Sequence, residues 1–234
     1  MQLQKLFYSM VFKLDERLLF PDPKHGEPDG LLAVGGDLSV DRMLLAYSNG
    51  IFPWYAFRQG MIEWWCPLDR FVIFPNQVHV SHSMRSLIRS ERYKLTFNKA
   101  FDDVIHNCSS LRYDEPGAWL GEDMIAAYKA LHEQGFALSV EVWDETVDGT
   151  PDNPRLVGGL YGVTLGSCFF GESMFSLVPN ASKLALIHLC NAMVDIGGVM
   201  IDCQFETAHL KSMGGVHITY DEYMKYVSMA EETE

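Results

Sequence analysis

The spacing of apolar positions changes several times along this 234-residue chain, and the changes mark its elements. FALSVEVW (136–143) alternates, placing Phe136, Leu138, Val140 and Val142 on one side of an extended strand. FVIFP (71–75) reads as a strand. RLVGGLYGV (155–163) and SCFFGESMFS (167–176) read as two more around a turn at Gly166, and VMIDCQF (199–205) as another. Helical spacing appears in SMRSLIRS (83–90) and in MIAAYKALHEQG (124–135), which ends at a glycine. A long apolar helix is predicted over 181–195, capped by Asn180 and closed by Gly197 and Gly198. Ser39 can cap a short helix over 40–49 that Gly50 ends, and a short helix near 207–213 and a last one near 220–230 are expected. PDPKHGEPDG (21–30) and DETVDGTPDNP (144–154) are loop compositions. Pro53 and Pro67 break the aromatic segments IFPWY and IEWWCP. The pattern predicts a small N-terminal domain at 1–67, then a mixed-sheet domain at 68–234 with strands in consecutive hairpins and helices between them: an α+β protein.

Composition narrows the class. Hydrophobic residues make up 48% of the chain, which suits a globular protein with a real core. The net charge of −13 opposes non-specific binding to nucleic acid and favours basic partners. Cys66, Cys108, Cys168, Cys190 and Cys203 are scattered, with no CxxC and no disulfide-like spacing, so buried reduced thiols are expected. The apolar patch at 6–12 is short, flanked by Lys5 and Lys13, and lacks a cleavage site. No run reaches the length of a membrane span, so the expectation is a cytoplasmic protein with no membrane partner.

Two polar clusters interrupt apolar sequence near the C-terminal end: GESMFS (171–176) and IDCQ (201–204). Each sets a carboxylate, Glu172 or Asp202, in a stretch that reads as buried strand, where an ionisable group needs a partner or a task. Asp202 and Gln204 are two apart, hence on one face of a strand, and Glu172 reaches the same place if the two strands are neighbours. The open alternative is a buried salt bridge to Lys183 or Arg155. Cys203, between Asp202 and Gln204, faces the other way and reads as core. Asp202, Cys203 and His209 lack paired-ligand spacing, and no metal is expected. GESMF does not satisfy GxSxG, and the glycines of GGLYGVTLG lie inside strands rather than before a helix. Trp54 and Trp119 stand beside loop formers, where an aromatic ring either packs or stacks on an unpaired base. Arg85, Arg89 and Arg92 fall at i, i+4, i+7, with Lys94 and Lys99 following and Glu91 opposing. They form a local positive stripe that is either a solvated helix face or a phosphate contact.

The blocks GLLAVGGDLS (30–39), AYSNGIFPWY (46–55), EWWCPLDR (63–70), HSMRS (82–86), LHEQGFALSVEVW (131–143), LVGGLYGV (156–163), FFGESMFS (169–176), ASKLAL (181–186) and IDCQ (201–204) occur in order over nearly the whole chain. Taken together they resemble the leucyl/phenylalanyl-tRNA–protein transferase family. The resemblance implies an N-acetyltransferase-like larger domain, similar to that of peptidyl-transferring wall-building enzymes. It implies transfer of Leu, Phe or Met from aminoacyl-tRNA to the N-terminal Arg or Lys of an acceptor protein, marking it for degradation. No cofactor is implied, and a monomer is expected. By resemblance Glu172, Asp202 and Gln204 match positions for reaction and acceptor recognition. Trp54 and Trp119 match positions that hold the terminal adenosine, with Tyr47 and Tyr128 near the site. Leu160, Phe169, Met174, Met193 and Ile201 match the pocket for the carried side chain. Within that frame Asp202 is expected to polarise Gln204 and orient the attacking amine, Glu172 to attract the cationic acceptor, and Arg85, Arg89 and Arg92 to meet tRNA phosphates. His82, Ser86 and Ser90 interleave the arginines, which thins the basic run compared with relatives. Two rival readings are an acyl-CoA N-acyltransferase, which would need a pyrophosphate-binding glycine loop, and a binding module for RNA or peptide.

Overall fold

The chain divides into two compact units, residues 1–68 and 69–234. The computed structural model describes residues 11–55, 61–111, 120–146 and 154–231.

In the first unit a four-stranded sheet has the order β1-β2-β4-β3, from β1 (Phe12–Leu14), β2 (Leu31–Gly35), β3 (Phe52–Tyr55) and β4 (Ile62–Trp65). Helix α1 (Val40–Ser48) starts at Ser39, whose Oγ accepts from the Arg42 N–H, and ends before Gly50 at φ +70°. Both signals follow from capping chemistry. Trp64 is fully buried and its indole N–H donates to the Gly35 carbonyl at 2.8 Å. Arg42 is buried too, and its guanidinium bonds the Asp37 carboxylate and the Asp15 carbonyl.

The second unit is built on a seven-stranded mixed sheet. Its strands are β5 (Asp69–Ile73), β6 (Tyr93–Phe97), β7 (Ala137–Asp144), β8 (Arg155–Leu165), β9 (Cys168–Ser176), β10 (Met200–Asp202) and β11 (Val216–Thr219), in the order β11-β5-β10-β9-β8-β7-β6. From β6 to β9 neighbours are antiparallel, whereas β10 lies parallel to β9. A parallel neighbour requires a crossover. It is supplied by α5 (Ala181–Asp195), the helix the long apolar run predicts. Asn180 sits before it at φ +72° without a side-chain capping bond, so the helix starts at a left-handed turn and not at the expected Asn cap.

Helices cover both faces. On one, α5 and α2 (His82–Arg89) pack on Ile73, Val140, Val142, Leu160, Phe169 and Ile201. On the other lie α3 (Phe101–Ser110), α4 (Glu122–Glu133) and α7 (Tyr220–Glu231). Their Phe101, Tyr128 and Tyr223 are buried there, and the first two meet the Tyr161 ring edge-on. Leu138, Val140 and Val142 face the α5 side as their alternation predicts. The opposite face of β7 is not solvated, however. Glu141 is buried and accepts from Thr96, Ser139 and the backbone N–H groups of Lys99 and Ala100 at the start of α3. A carboxylate at a helix N-terminus meets exposed amide donors there, which is why this acid tolerates the interior.

Strand β10 ends at Asp202, three residues short of the predicted 199–205 span. Strands β6 and β11 and helix α3 are additional to the predicted elements, although Tyr93, Leu95 and Phe97 alternate in β6 and Phe101, Val104, Ile105 and Cys108 follow the helical period in α3.

The β8–β9 hairpin is tight. A Cβ on Gly162 would run into the Phe170 carbonyl oxygen and the Phe169 ring. Gly162→Ala is therefore expected to destabilise the chain by about 1–3 kcal/mol through overpacking. Urea denaturation measures this, and an unchanged midpoint would contradict the close approach.

Candidate active site

Strand β9 does lie beside β10, with Cys168, Phe169 and Phe170 paired to Met200, Ile201 and Asp202. Paired residues share a face, so Asp202 and Phe170 look toward α7 while Ile201 and Phe169 look toward α5. Beyond Asp202 the two strands part, because β9 runs on to Ser176 and β10 stops. The chain turns irregular on both sides of the parting.

On β9 the irregularity is a bulge. Tyr161 pairs with Ser173 and Gly162 with Gly171, leaving Glu172 as the extra residue. A bulge unpairs one residue and re-aims its side chain. Glu172 is directed to the α4 side, where the Tyr128 hydroxyl donates to its Oε2 at 2.6 Å. Tyr128 is fully buried, with its ring edge-on to Tyr161.

On β10 the irregularity is a turn. The Phe205 N–H donates to the Cys203 carbonyl at 2.7 Å, closing a three-residue γ-turn on Gln204, which has φ +57°. A side chain bearing a Cβ is strained in that region, and such turns are rare. Gln204 is nine-tenths buried, and its amide Nε2 has no hydrogen-bond partner among the described residues. On its other side the turn is tied to β5: the Cys203 N–H donates to the Phe71 carbonyl, and the Phe71 N–H to the Gln204 carbonyl.

Asp202 is sealed. It has no exposed surface, and its oxygens accept the Arg70 fork (Nε–Oδ1 3.0 Å, Nη2–Oδ2 2.7 Å), the Tyr223 hydroxyl at 2.9 Å and the Gln204 backbone N–H at 2.9 Å. Arg70 is 1% exposed and also lies over the Tyr223 ring at 4.7 Å. The carboxylate therefore holds Gln204 by its backbone, and the expected polarisation of the Gln204 side chain by Asp202 is corrected to that contact. The expectation that Asp202 and Gln204 share a strand face fails for the same reason, since Gln204 lies beyond the strand end. A salt bridge is present, but its cation is neither Lys183 nor Arg155. Lys183 begins α5 on the opposite face, and Arg155 is exposed at the start of β8. Arg70 and Tyr223 were missed. Arg70 stands two residues before Val72 in the apolar strand run, so it shares the face of the residue paired with Asp202. A buried acid in need of a cation could have pointed to it.

Leu160, Phe169, Met193 and Ile201 are buried in one apolar cluster, with Met174 packed against its edge. The structure brings these five together on the α5 face, opposite the one Asp202 occupies. Met174 stands two residues after Glu172, just past the bulge on β9. Trp54 is on β3 in the first unit, edge-on to Trp65 at 5.6 Å, and Tyr47 is fully buried in α1. Trp119 lies outside the described residues.

The positive stripe is shorter than its spacing suggests. Arg85 and Arg89 are exposed on α2, but the helix ends at Arg89 and Glu91 turns left-handed at φ +50°. Arg92 is thrown off the helix face and binds the buried Asp144 at 3.1 Å, and Lys94 pairs with Glu145. The i+7 relation expected for Arg92 is therefore corrected.

Three of the thiols, Cys168, Cys190 and Cys203, are not activated. Burial pushes Cys168 and Cys190 up to about 12, and burial together with the Asp202 charge holds Cys203 well above the ordinary thiol range. The His209 imidazole on α6 (Ala208–Ser212) is held below its usual range by burial and by Lys183, and its Nε2 is buried without a partner among the described residues. No group of three His, Cys, Asp or Glu among the described residues could hold a metal ion. No helix among them is long and apolar enough to cross a membrane.

Residues 72–228 match the family described as leucyl/phenylalanyl-tRNA protein transferase, and residues 36–68 match its N-terminal domain. Among curated relatives, the leucyl/phenylalanyl-tRNA–protein transferase of Nitrosospira multiformis is 49% identical over 218 residues, spanning 92% of this chain and 89% of that one. The protein of the same name from Syntrophobacter fumaroxidans is 47% identical over 210 residues, spanning 89% and 86%. Among solved structures, a conserved protein of unknown function from Bacteroides thetaiotaomicron superposes with a TM-score of 0.43 at 12% identity, over 62% of this chain and 53% of that one. The relatives are aminoacyltransferases, and this chain is an enzyme of that class. It belongs to the leucyl/phenylalanyl-tRNA–protein transferase family.

Removing one member of the Arg70–Asp202 pair strands a buried charge. Arg70→Met or Asp202→Ala alone is expected to cost about 3–5 kcal/mol, and the apolar double replacement Arg70→Met with Asp202→Leu to recover most of it. Chemical denaturation of the three variants measures the difference. Single variants that unfold at the wild-type midpoint would mean the pair is solvated.

Proposed function

We propose that the chain moves leucine, phenylalanine or methionine from aminoacyl-tRNA onto the N-terminal Arg or Lys of acceptor proteins, without a covalent enzyme intermediate. The reading rests on family membership, and its chemistry on one observation: past the end of β10, where it parts from the β9 strand whose bulge carries Glu172, stands a strained Gln204 with a buried amide that has no partner among the described residues. The product is a protein marked for degradation, and the enzyme works as a monomer in the cytoplasm.

The ester of an aminoacyl-tRNA is already activated, and the nucleophile is the acceptor's α-amine. That amine has an unperturbed pKa of about 7.7–8.0, so a usable fraction is neutral near pH 7. No enzyme nucleophile is required, and the masked thiols are consistent with direct attack. What the protein supplies is alignment, worth about 7–11 kcal/mol in favourable cases, and removal of a proton, typically about 10²–10⁴-fold. In this reading Gln204 orients the reacting groups through its side-chain amide. Glu172, held by Tyr128, attracts the cationic acceptor. Asp202 supports Gln204 from behind and does not touch substrate.

The carried side chain enters the apolar cluster of Leu160, Phe169, Met174, Met193 and Ile201, where burial contributes about 0.8 kcal/mol per CH₂. Apolar contact discriminates weakly between similar shapes, so Leu, Phe and Met are all accepted. The terminal adenosine is assigned to Trp54, Trp119, Tyr47 and Tyr128, and that assignment rests on resemblance. Arg85 and Arg89, exposed on α2, are assigned to tRNA phosphates.

The deciding assay supplies labelled Leu-tRNA or Phe-tRNA and a peptide beginning with Arg or Lys, and scores label on the peptide. Transfer is expected. Transfer from acyl-CoA instead would favour the rival acyltransferase, and no transfer by folded protein would favour a binding module. Gln204→Ala should lower kcat by about 10²–10³-fold, the scale of losing one aimed donor. Glu172→Gln should mainly raise KM for the basic peptide, by about 10–100-fold, as a charged hydrogen-bond partner is lost. A Glu172→Gln enzyme with unchanged peptide KM would remove the acceptor role. For tRNA, Arg85→Ala and Arg89→Ala should each reduce the slope of log K against log salt by about 0.7–0.9, while Arg92→Ala leaves it unchanged. Filter binding over a salt series reads the slopes, and equal effects at all three positions would contradict the division.

A further inference from the structure

We propose that Arg70 and Tyr223 are positioning residues for transfer: acting through the Asp202 carboxylate, they hold Gln204 in the turn that presents its amide to the reacting groups. The proposal rests on Gln204 standing at the reacting centre.

The geometry separates two possible roles for a buried acid. A carboxylate that takes a proton from substrate needs an open oxygen. Asp202 has none, since its roughly four acceptor positions are filled by the Arg70 fork, the Tyr223 hydroxyl and the Gln204 N–H. It is also fully buried. A carboxylate that serves only to neutralise a core arginine has no need of the Gln204 N–H. Here one oxygen is committed to that amide two residues on, which is the local turn that Asp side chains make with their own backbone. The residue it fixes is the one held at φ +57° by the γ-turn.

Beside the Phe71 backbone bonds, the side-chain anchor of this turn is only as rigid as the rotamer of its aspartate. Nothing in β10 itself fixes that rotamer, because the strand ends there. The guanidinium fork sets the plane of the carboxylate from β5, since two parallel N–H donors fit it in one orientation. The Tyr223 hydroxyl sets it from α7, donating to Oδ2 at 2.9 Å while accepting from Arg70 Nη2 at 3.4 Å. Its ring lies under the guanidinium. Two elements far apart in sequence thereby fix the carboxylate that anchors a strained backbone, which β5 also meets directly through Phe71. Loss of either should let Gln204 relax toward an unstrained turn, and a displacement near 1 Å is enough to cost about 10²-fold in rate.

The test uses the full chain and four enzymes: wild type, Tyr223→Phe, Arg70→Lys, and the double variant Arg70→Met with Asp202→Leu. In the transfer assay, Tyr223→Phe and Arg70→Lys are expected to lose about 10- to 100-fold in kcat, with KM for aminoacyl-tRNA and for peptide within about twofold of wild type. Amide hydrogen exchange at Gln204 should quicken in both, which reads the turn independently of activity. The double variant should fold as wild type does and still transfer poorly, since its core is filled but the Gln204 anchor is gone. If a single variant fails to fold, the double variant carries the test alone. Wild-type kcat and wild-type Gln204 exchange in folded Tyr223→Phe and Arg70→Lys would overturn the proposal, as would restored transfer in the double variant, and in both cases the transferase reading would stand. Absence of transfer by wild type itself would remove that reading, and with it the basis of the proposal.

Discussion

The contact between Arg70 and Asp202 governs the second unit. Two opposite charges with almost no exposed surface meet at 2.7 Å inside a sheet. Taking both from water costs several kcal/mol each, and the pair is tolerated because every remaining acceptor position on the acid is filled. The donors come from β5, from α7 and from the backbone just past β10, so the pair also ties three segments distant in sequence. A weaker arrangement would leave an uncompensated charge in the core. This requirement buries Asp202 completely and ties the Gln204 backbone to it.

A regular sheet would keep the acids and the greasy residues apart. Ile201 and Asp202 are neighbours in sequence and point to opposite faces, and the same holds for Phe169 and Phe170. Two local defects interrupt the alternation. The bulge at Glu172 shifts the alternation of β9, so that Met174 reaches the apolar cluster just after the acid has turned toward Tyr128. The γ-turn at Gln204 ends the alternation of the other strand just past Asp202. Both occur where a parallel pair diverges, the end of an α/β sheet at which side chains from both faces can serve one ligand. Irregular backbone of this kind is sustained only by surrounding structure that over-determines it.

Charge is distributed to match the chemistry in the proposed reading. A chain with net charge −13 attracts a cationic acceptor broadly, while its polyanionic donor needs local cations. Most of the basic run after α2 is already neutralised, Arg92 by Asp144 and Lys94 by Glu145, which leaves Arg85 and Arg89 for solvent-facing contacts. The Cys168, Cys190 and Cys203 thiols are pushed toward their protonated form, in keeping with a proposed reaction whose energy comes from an activated ester and not from a protein nucleophile.

Sequence alone determined the parts whose physics is local. Alternation identified β7, Ser39 and Gly50 bracketed α1, helical spacing and a closing glycine marked α4, and the apolar run marked α5, because backbone geometry imposes those periods on any buried face. It also singled out Glu172, Asp202 and Gln204, since ionisable and amide groups in strand-like apolar sequence must have a use. Tertiary structure decided their partners. Which cation meets Asp202 depends on the register of β5 against β10 and on the docking of α7, pairings 132 and 21 residues apart that no spacing rule encodes. The bulge on β9, the early end of β10, the removal of Arg92 from the helix face and the capture of Glu141 by α3 were equally invisible. Each arises where long-range packing overrides the local period.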